Sequence, residues 1–188
     1  MIRRIMISCI AATSLILFST QAFALISFSV GVPLSQTYTK LEDSDGNKVN
    51  ADSVSGTFIQ IGVPILPGIG MDSYKTKMKC EGCTIDIELE TSMYNLYYLL
   101  PIPIINLTIG VGAGKTKFLC DGSDCDWQDG GNATQWYTSL GFPILPLFDL
   151  HLSYRSVSSK IESTSGSDKG EKHDVGGNVM GLGIGFNF

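Results

Sequence analysis

His151, Leu152 and Ser153 put a histidine and a serine two residues apart, with Asp149 two residues before and Arg155 two after. Along a β-strand, residues two apart point the same way, so all four side chains can meet on one face. A serine hydroxyl beside a histidine base, with a carboxylate close by, is a composition suited to nucleophilic catalysis. The same four groups also make a hydrogen-bond network for a closed interior. Which of the two they serve depends on the face they occupy.

Three further groups could carry chemistry. Of five cysteines, Cys9 lies in an N-terminal apolar run and four remain: Cys80, Cys83, Cys120 and Cys125. In an oxidising envelope disulfides are the default. Local closure, 80–83 and 120–125, makes two small staples and is favoured by proximity. Crossed pairing would instead tie two loops together. A tetrahedral thiolate site has workable spacing only for the first pair, so no metal is expected. Gly110 to Thr116 reads GVGAGKT and looks like a phosphate loop. That pattern needs glycine where Ile109 stands and a helix afterwards, so the glycines are read as strand residues leaving room for large side chains opposite. Asp43-Ser44-Asp45-Gly46-Asn47 resembles part of a calcium loop but lacks the bidentate glutamate. Together with Asp121 to Asp129 it reads as solvated turn sequence. No cofactor and no catalytic residue are expected.

The elements that would position these groups are strands. Met1 to Ala24 carries Arg3 and Arg4, an apolar run from Ile5 to Phe18, and Ala22-Phe23-Ala24 as a small-x-small cleavage site. This is the pattern of a secretory signal peptide. Its removal leaves residues 25–188 as one domain and deepens the net charge from −5 by the loss of two arginines. An acidic chain without a basic patch argues against nucleic acid as a partner. Pro-flanked apolar turns at Val63–Gly68, Leu100–Ile104 and Phe142–Pro146 alternate with polar stretches at Lys40–Asp52, Lys79–Thr84, Cys120–Asn132 and Ser159–Lys172. Proline belongs at strand ends. The punctuation predicts eight strands, roughly at 25–39, 53–65, 68–79, 84–100, 103–118, 132–143, 147–159 and 173–188.

Alternation assigns their faces. Ile26, Phe28, Val30, Val32 and Leu34 oppose Ser27, Ser29, Gly31 and Ser35. Ile105, Leu107, Ile109, Val111 and Ala113 oppose Asn106, Thr108, Gly110, Gly112 and Gly114. Phe148, Leu150, Leu152 and Tyr154 oppose Asp149, His151, Ser153 and Arg155. The first set of each pair suits lipid and the second a lumen. A hairpin closing around Cys80–Cys83 pairs Lys77 with Asp86 and Lys75 with Glu88, and brings Ser73 to Glu90. We assign Lys75, Lys77, Asp86, Glu88 and Glu90 to the lumen or its outer mouth. They form a charge network there with Asp149, His151 and Arg155. A bulge near Thr91–Ser92 is allowed for, and the faces of residues 91–100 stay open. Met93 to Ala113 is long and uncharged enough for a transmembrane helix, but Pro101 and Pro103 at its middle argue against one.

The last sixteen residues, HDVGGNVMGLGIGFNF, alternate strictly. Met180, Leu182, Ile184, Phe186 and Phe188 fall on one face and Gly181, Gly183, Gly185 and Asn187 on the other. This resembles the closing strand of bacterial outer-membrane β-barrels. In that family the terminal aromatic, here Phe188 with Phe186 behind it, is the tag read by the barrel-assembly machinery. The architecture is similar to small outer-membrane proteins of the OmpX, OmpA-barrel and OmpW kind. The resemblance implies an all-β fold, a closed antiparallel eight-stranded up-and-down barrel in the outer membrane of a Gram-negative bacterium. Its expected partners are outer-membrane lipid and lipopolysaccharide, with the assembly machinery during biogenesis, and it is expected to be a monomer. His-x-Ser also resembles the arrangement of outer-membrane lipid A deacylases, where serine is the nucleophile. Here the motif faces the lumen, away from a lipid substrate, so we read it as part of an interior network. An eight-stranded interior is just wide enough for side chains to fill. The expected role is therefore a plugged barrel acting structurally or through its external loops. A small channel and a lipid A-modifying enzyme are the alternatives.

Overall fold

The structure is a computed structural model that describes residues 26–42, 48–64, 66–78, 87–102, 105–119, 131–145, 147–162 and 169–187. Its strands are β1 (Ser27–Glu42), β2 (Lys48–Asn50), β3 (Ser53–Gly62), β4 (Pro67–Met78), β5 (Ile87–Ile102), β6 (Ile105–Leu119), β7 (Gly131–Leu145), β8 (Phe148–Glu162), β9 (Lys172–Asp174) and β10 (Gly177–Asn187). Eight of them pair antiparallel with their chain neighbours, and β10 pairs with both β8 and β1. The sheet is thus a closed eight-stranded barrel with no free edge. Closure lets ladder groups pair within the wall on both sides of each strand, as a sheet in lipid must. The short β2 and β9 lengthen the wall beyond the barrel, against β1 and β8. Sequence patterning missed both, because three-residue strands inside polar loops carry no period.

Both described termini and the short β3–β4, β5–β6 and β7–β8 connections lie at one end of the barrel, the turn end. The long connections lie at the loop end. The uncharged run from Met93 to Ala113 is the β5–β6 hairpin, paired from Met93↔Gly114 down to Ile102↔Ile105. A proline pair at its midpoint suits a reversal and not a helix. No register shift interrupts β5, so Thr91, Met93, Asn95, Tyr97 and Leu99 face inward and their neighbours outward. The GVGAGKT segment is extended strand within β6.

Two registers depart from the sequence reading. On β1 the pairing with β10 skips from Pro33↔Gly181 to Ser35↔Met180. The extra residue, Leu34, turns Ser35 outward and brings Gln36 and Tyr38 to the interior. Ser35 was expected in the lumen, but a one-residue bulge exchanges the faces beyond it. On β4 and β5, Lys75 pairs with Glu90 and Lys77 with Glu88, two residues from the expected partners. A shift of two keeps each face and changes only the partner.

The outer wall carries an apolar belt. Ile59, Ile61, Ile69, Met71, Leu96, Val111, Leu152, Leu182 and Ile184 are all exposed. Aromatics mark both margins of this belt. Phe186 stacks between Phe28 and Phe148 at the turn end, with centroids 6.3 and 5.0 Å apart. Trp136 and Tyr154 pair at 5.7 Å further up. A lipid-facing band flanked by aromatic girdles is the surface a membrane barrel needs.

Inside, side chains are stacked in three apolar levels. Tyr97, Leu99 and Tyr137 lie toward the turn end. Phe58, Tyr74, Val157 and Val179 lie at mid-height. Tyr38, Leu89, Ile161 and Val175 lie toward the loop end, with Met78 and Phe118 against them. Glycine makes room for these rings. Gly110 stands in register with both Tyr97 and Tyr137, and a methyl group there would come within 2.3 Å of the Tyr137 ring. Gly56, opposite Tyr74, has φ of 149°, which a side chain rarely adopts, and lets the Tyr74 ring meet Phe58 edge-on at 6.0 Å. The row Gly110, Gly112, Gly114 is thus a set of seats for interior side chains.

Candidate functional site

The charged centre of the barrel is Arg155 of β8 with Asp72 of β4. Arg155 is 2% exposed and Asp72 is fully buried. Arg155 Nε donates to Asp72 Oδ2 at 2.9 Å and Nη2 to Oδ1 at 3.4 Å, a two-pronged contact across the lumen. Nη1 donates to Ser153 Oγ at 2.5 Å. The guanidinium carbon sits 3.5 Å over the Phe58 ring centroid and 5.1 Å from that of Tyr137. A planar, weakly hydrated cation suits such a site; a lysine could not make both the fork and the stack.

Amides extend this centre around the wall. Gln135 Nε2 donates to Asp72 Oδ2 at 2.7 Å and to Asn95 Oδ1 at 2.6 Å. Gln60 Nε2 donates to the Tyr137 hydroxyl at 2.9 Å, and Ser29 Oγ donates to Gln60 Oε1 at 3.0 Å. The two ionised side chains are thus held by partners on several strands. A buried ion pair survives only where such bonds offset the desolvation of both charges.

A second polar cluster lies nearer the turn end. Asp149 Oδ2 accepts from Asn106 Nδ2 at 2.5 Å and Asn187 Nδ2 at 2.7 Å. His151 Nε2 is 4.0 Å from the same oxygen, and His151 Nδ1 is 3.4 Å from Ser139 Oγ. The imidazole lies between Gly141 and Gly185, where a methyl group on either would strike it. The void beside it is only about 20 Å³, close to the size of one water. Ser153, the serine of the His-x-Ser motif, has its hydroxyl engaged by Arg155. Activation of a serine needs that hydroxyl on the histidine and a space for substrate. Here Ser139, and not Ser153, faces the ring, and the void beside it has room for about one water.

The other expected site residues fall elsewhere. Lys75 and Lys77 are exposed on the outer face of β4 and not in the lumen. Glu88 and Glu90 stand opposite them on β5, also outside, and Glu90 faces Lys117 of β6 as well. The inward set of β4 is Asp72, Tyr74 and Thr76. These charges decorate the outer wall beyond the apolar belt, where water and headgroups accept them without burial. Phe186 lies on the outer wall in its aromatic stack. Asp86, Cys80, Cys83, Cys120, Cys125 and Phe188 lie outside the described residues. Asp72 was missed because it precedes Ser73, Lys75 and Lys77, and the richer charge row drew the assignment. Its spacing from Tyr74 and Thr76, on a face opened by Gly68 and Gly70, was the available signal.

At the loop end, β9 is strapped to β1. Lys40 Nζ donates to Asp174 Oδ2 at 2.7 Å, and the Gly176 amide donates to Oδ1 at 3.1 Å. Burial alone would raise the Asp174 carboxyl. The bonds from Lys40 and Gly176, with the charges of Lys40 and Lys160, outweigh it and hold the group below the usual carboxylate range.

No protein-family model matches the chain, and no curated protein matches it in sequence. Solved structures do match in fold. Neisserial surface protein A (NspA) superposes with a TM-score of 0.62 at 12% identity, over 87% of this chain and 97% of that one. The outer membrane protein W of E. coli gives 0.53 at 10% identity, over 88% and 100%. The Ail attachment invasion locus protein of Yersinia pestis, solved with the heparin analogue sucrose octasulfate, gives 0.51 at 20% identity, over 87% and 97%. The chain therefore has the fold of the small outer-membrane β-barrels, the architecture expected from its alternation.

Proposed function

We propose that the chain is an integral outer-membrane barrel with a plugged lumen that serves structurally or through surface contacts at its loop end. The observation that carries this reading is the Arg155–Asp72 pair, fully desolvated at mid-barrel and roofed by Phe58 and Tyr137. Apolar clusters toward the loop end and toward the turn end, on either side of the pair, support the same reading. The turn end faces the periplasm and the loop end the exterior. Residues 1–24 act as the export signal, Phe188 as the assembly tag, and the four exported cysteines form disulfides in the external loops.

The plug is tested by reconstituting the wild-type chain in planar bilayers. Little or no steady conductance is expected, and a stable, large conductance would transfer the reading to a channel. Location is tested on membranes from an expressing cell. The protein should fractionate with the outer membrane, begin at Leu25 and shift its gel migration on heating. An intact N-terminus or a helical circular dichroism spectrum would reject it.

A further inference from the structure

The three turns that end the barrel are built from apolar residues and proline. They read Val63-Pro64-Ile65-Leu66-Pro67, Leu100-Pro101-Ile102-Pro103-Ile104 and Phe142-Pro143-Ile144-Leu145-Pro146. Residues 53–71, 91–114 and 130–148, which run through these turns, contain no charged residue. Turns that meet water favour glycine, asparagine, aspartate and serine, the polar ones bonding the bared backbone. These turns present large apolar side chains instead, with Leu66 57% exposed, Ile144 63% and Leu145 58%. Exposed Ile26 and Leu147 carry the apolar belt past the Phe28–Phe186–Phe148 stack, and exposed Val63 and Ile102 do the same on the other hairpins.

The backbone at this end makes little demand on water. Six of the seven prolines lie in these turns, two in each, and proline has no N–H to satisfy. In the first turn the Leu66 N–H donates to the Val63 carbonyl at 3.0 Å. In the second, the β5–β6 ladder continues down to Ile102↔Ile105. At the third, the Asn187 N–H donates to the Leu147 carbonyl at 3.0 Å. The interior polar groups nearby are also tied to one another, since Asp149 accepts from Asn106 and Asn187. Backbone exposed to lipid must find its partners within the protein, and these turns largely do so.

The height of the wall agrees. Toward the loop end, the first outward charges are Lys75 on β4, Lys115 on β6 and Lys160 on β8. Ten residues separate Lys115 from Ile105, and twelve separate Lys160 from Phe148. At the rise of a strand and the tilt of a barrel, those spans stand about 26–31 Å tall along the axis. On β4 the span from Lys75 to Pro67 is only eight residues. The apolar band of a membrane barrel is about 25 Å tall and the hydrocarbon core about 30 Å thick. The wall below the loop-end charges is therefore one band tall, and only with its turns included.

We propose that the three turns are seated among the acyl chains of the periplasmic leaflet, so that the barrel has no water-exposed rim at this end. Acyl chains are the occupant because the turn surface is continuous with the lipid-facing belt on all three hairpins. A protein covering the turns would leave the remaining belt shorter than the hydrocarbon it has to span. The turn end of the lumen then abuts lipid and not the aqueous periplasm. This goes beyond the membrane-barrel reading, which gives the turn end a side of the membrane but no depth, and it rests on that reading.

The test places tryptophans in the full-length chain, in phosphatidylcholine nanodiscs holding one barrel each. In a background of Trp127→Phe with Trp136→Phe, Ile144→Trp and Leu66→Trp report the turns and Asn132→Trp reports the loop end. The quenchers are phosphatidylcholine brominated along its chains and iodide in the water. Both turn tryptophans should lose most of their emission to the brominated chains and little to iodide. Their emission should lie to the blue of that from Asn132→Trp, which should respond chiefly to iodide. Turn tryptophans quenched by iodide and untouched by brominated chains overturn the proposal. So does protection from both quenchers, which would mark turns folded back onto the barrel. Heat-modifiable migration scores insertion separately. A barrel that inserts with its turns open to iodide loses only their depth, and one that fails to insert loses the membrane reading itself.

Discussion

Arg155→Leu should lower the unfolding free energy by about 3–5 kcal/mol in urea titrations of the reconstituted barrel, because it strands a buried carboxylate. Asp72 is fully buried, and the Arg155 Nε and Nη2 groups supply two of its bonds. Gln135 Nε2 would remain, but it is shared with Asn95 and brings no charge. Asp72→Leu should cost a similar amount by leaving the guanidinium with Ser153 and the Phe58 face alone. The double variant Asp72→Leu/Arg155→Leu should recover most of the loss, since two apolar side chains of suitable size replace two desolvated ions. Arg155→Lys should stay clearly destabilising, because an ammonium cannot span the fork and cover the ring together. In planar bilayers the single variants should flicker open and the double variant should stay closed. Additive costs in the double variant would show that the two residues do not act as a pair. A cost below about 1 kcal/mol for Arg155→Leu would show that water already reaches the site.

The fold was legible because alternation is a direct imprint of a two-sided wall. Ile105 to Gly114 and Phe148 to Arg155 face as their pattern required. It failed where the backbone breaks period, as at Leu34, since a bulge leaves no mark in residue type. The site was half legible. Asp149, His151 and Arg155 point inward from β8, but the lumen assignment of Lys75, Lys77, Glu88 and Glu90 was reversed. The rule that polar residues face the lumen holds only within the apolar belt. Above it the outer wall is wet, and β4 changes from Ile69 and Met71 to Lys75 and Lys77 on the same outward face. The depth of the belt comes from where all eight strands sit together, which no single strand states. Asp72 shows the converse. One acidic residue among glycines and aromatics looks unremarkable until its cross-lumen partner, 83 residues away, is known.

Glycine accounts for the other large effect. Gly110→Val should destabilise the barrel by about 3 kcal/mol, at the upper end of what overpacking costs. The first carbon of any side chain at position 110 would lie 2.3 Å from the Tyr137 ring and 2.7 Å from its hydroxyl. Tyr137 cannot swing freely aside. Its hydroxyl holds Gln60, and its ring lies 5.1 Å from the Arg155 guanidinium. Displacing it would release the amide that links β3 to β7 and uncover one side of the ion pair. The loss should therefore couple to the ring and not to the strand. With Tyr137→Leu already in place, adding Gly110→Val should cost less than half as much. The neighbouring Val111→Thr, on the outward face, should cost much less than Gly110→Val, since Val111 is exposed and meets no interior ring. If Gly110→Val costs the same with and without the Tyr137 ring, the penalty belongs to strand conformation instead, and the glycine row is not a set of seats for the plug.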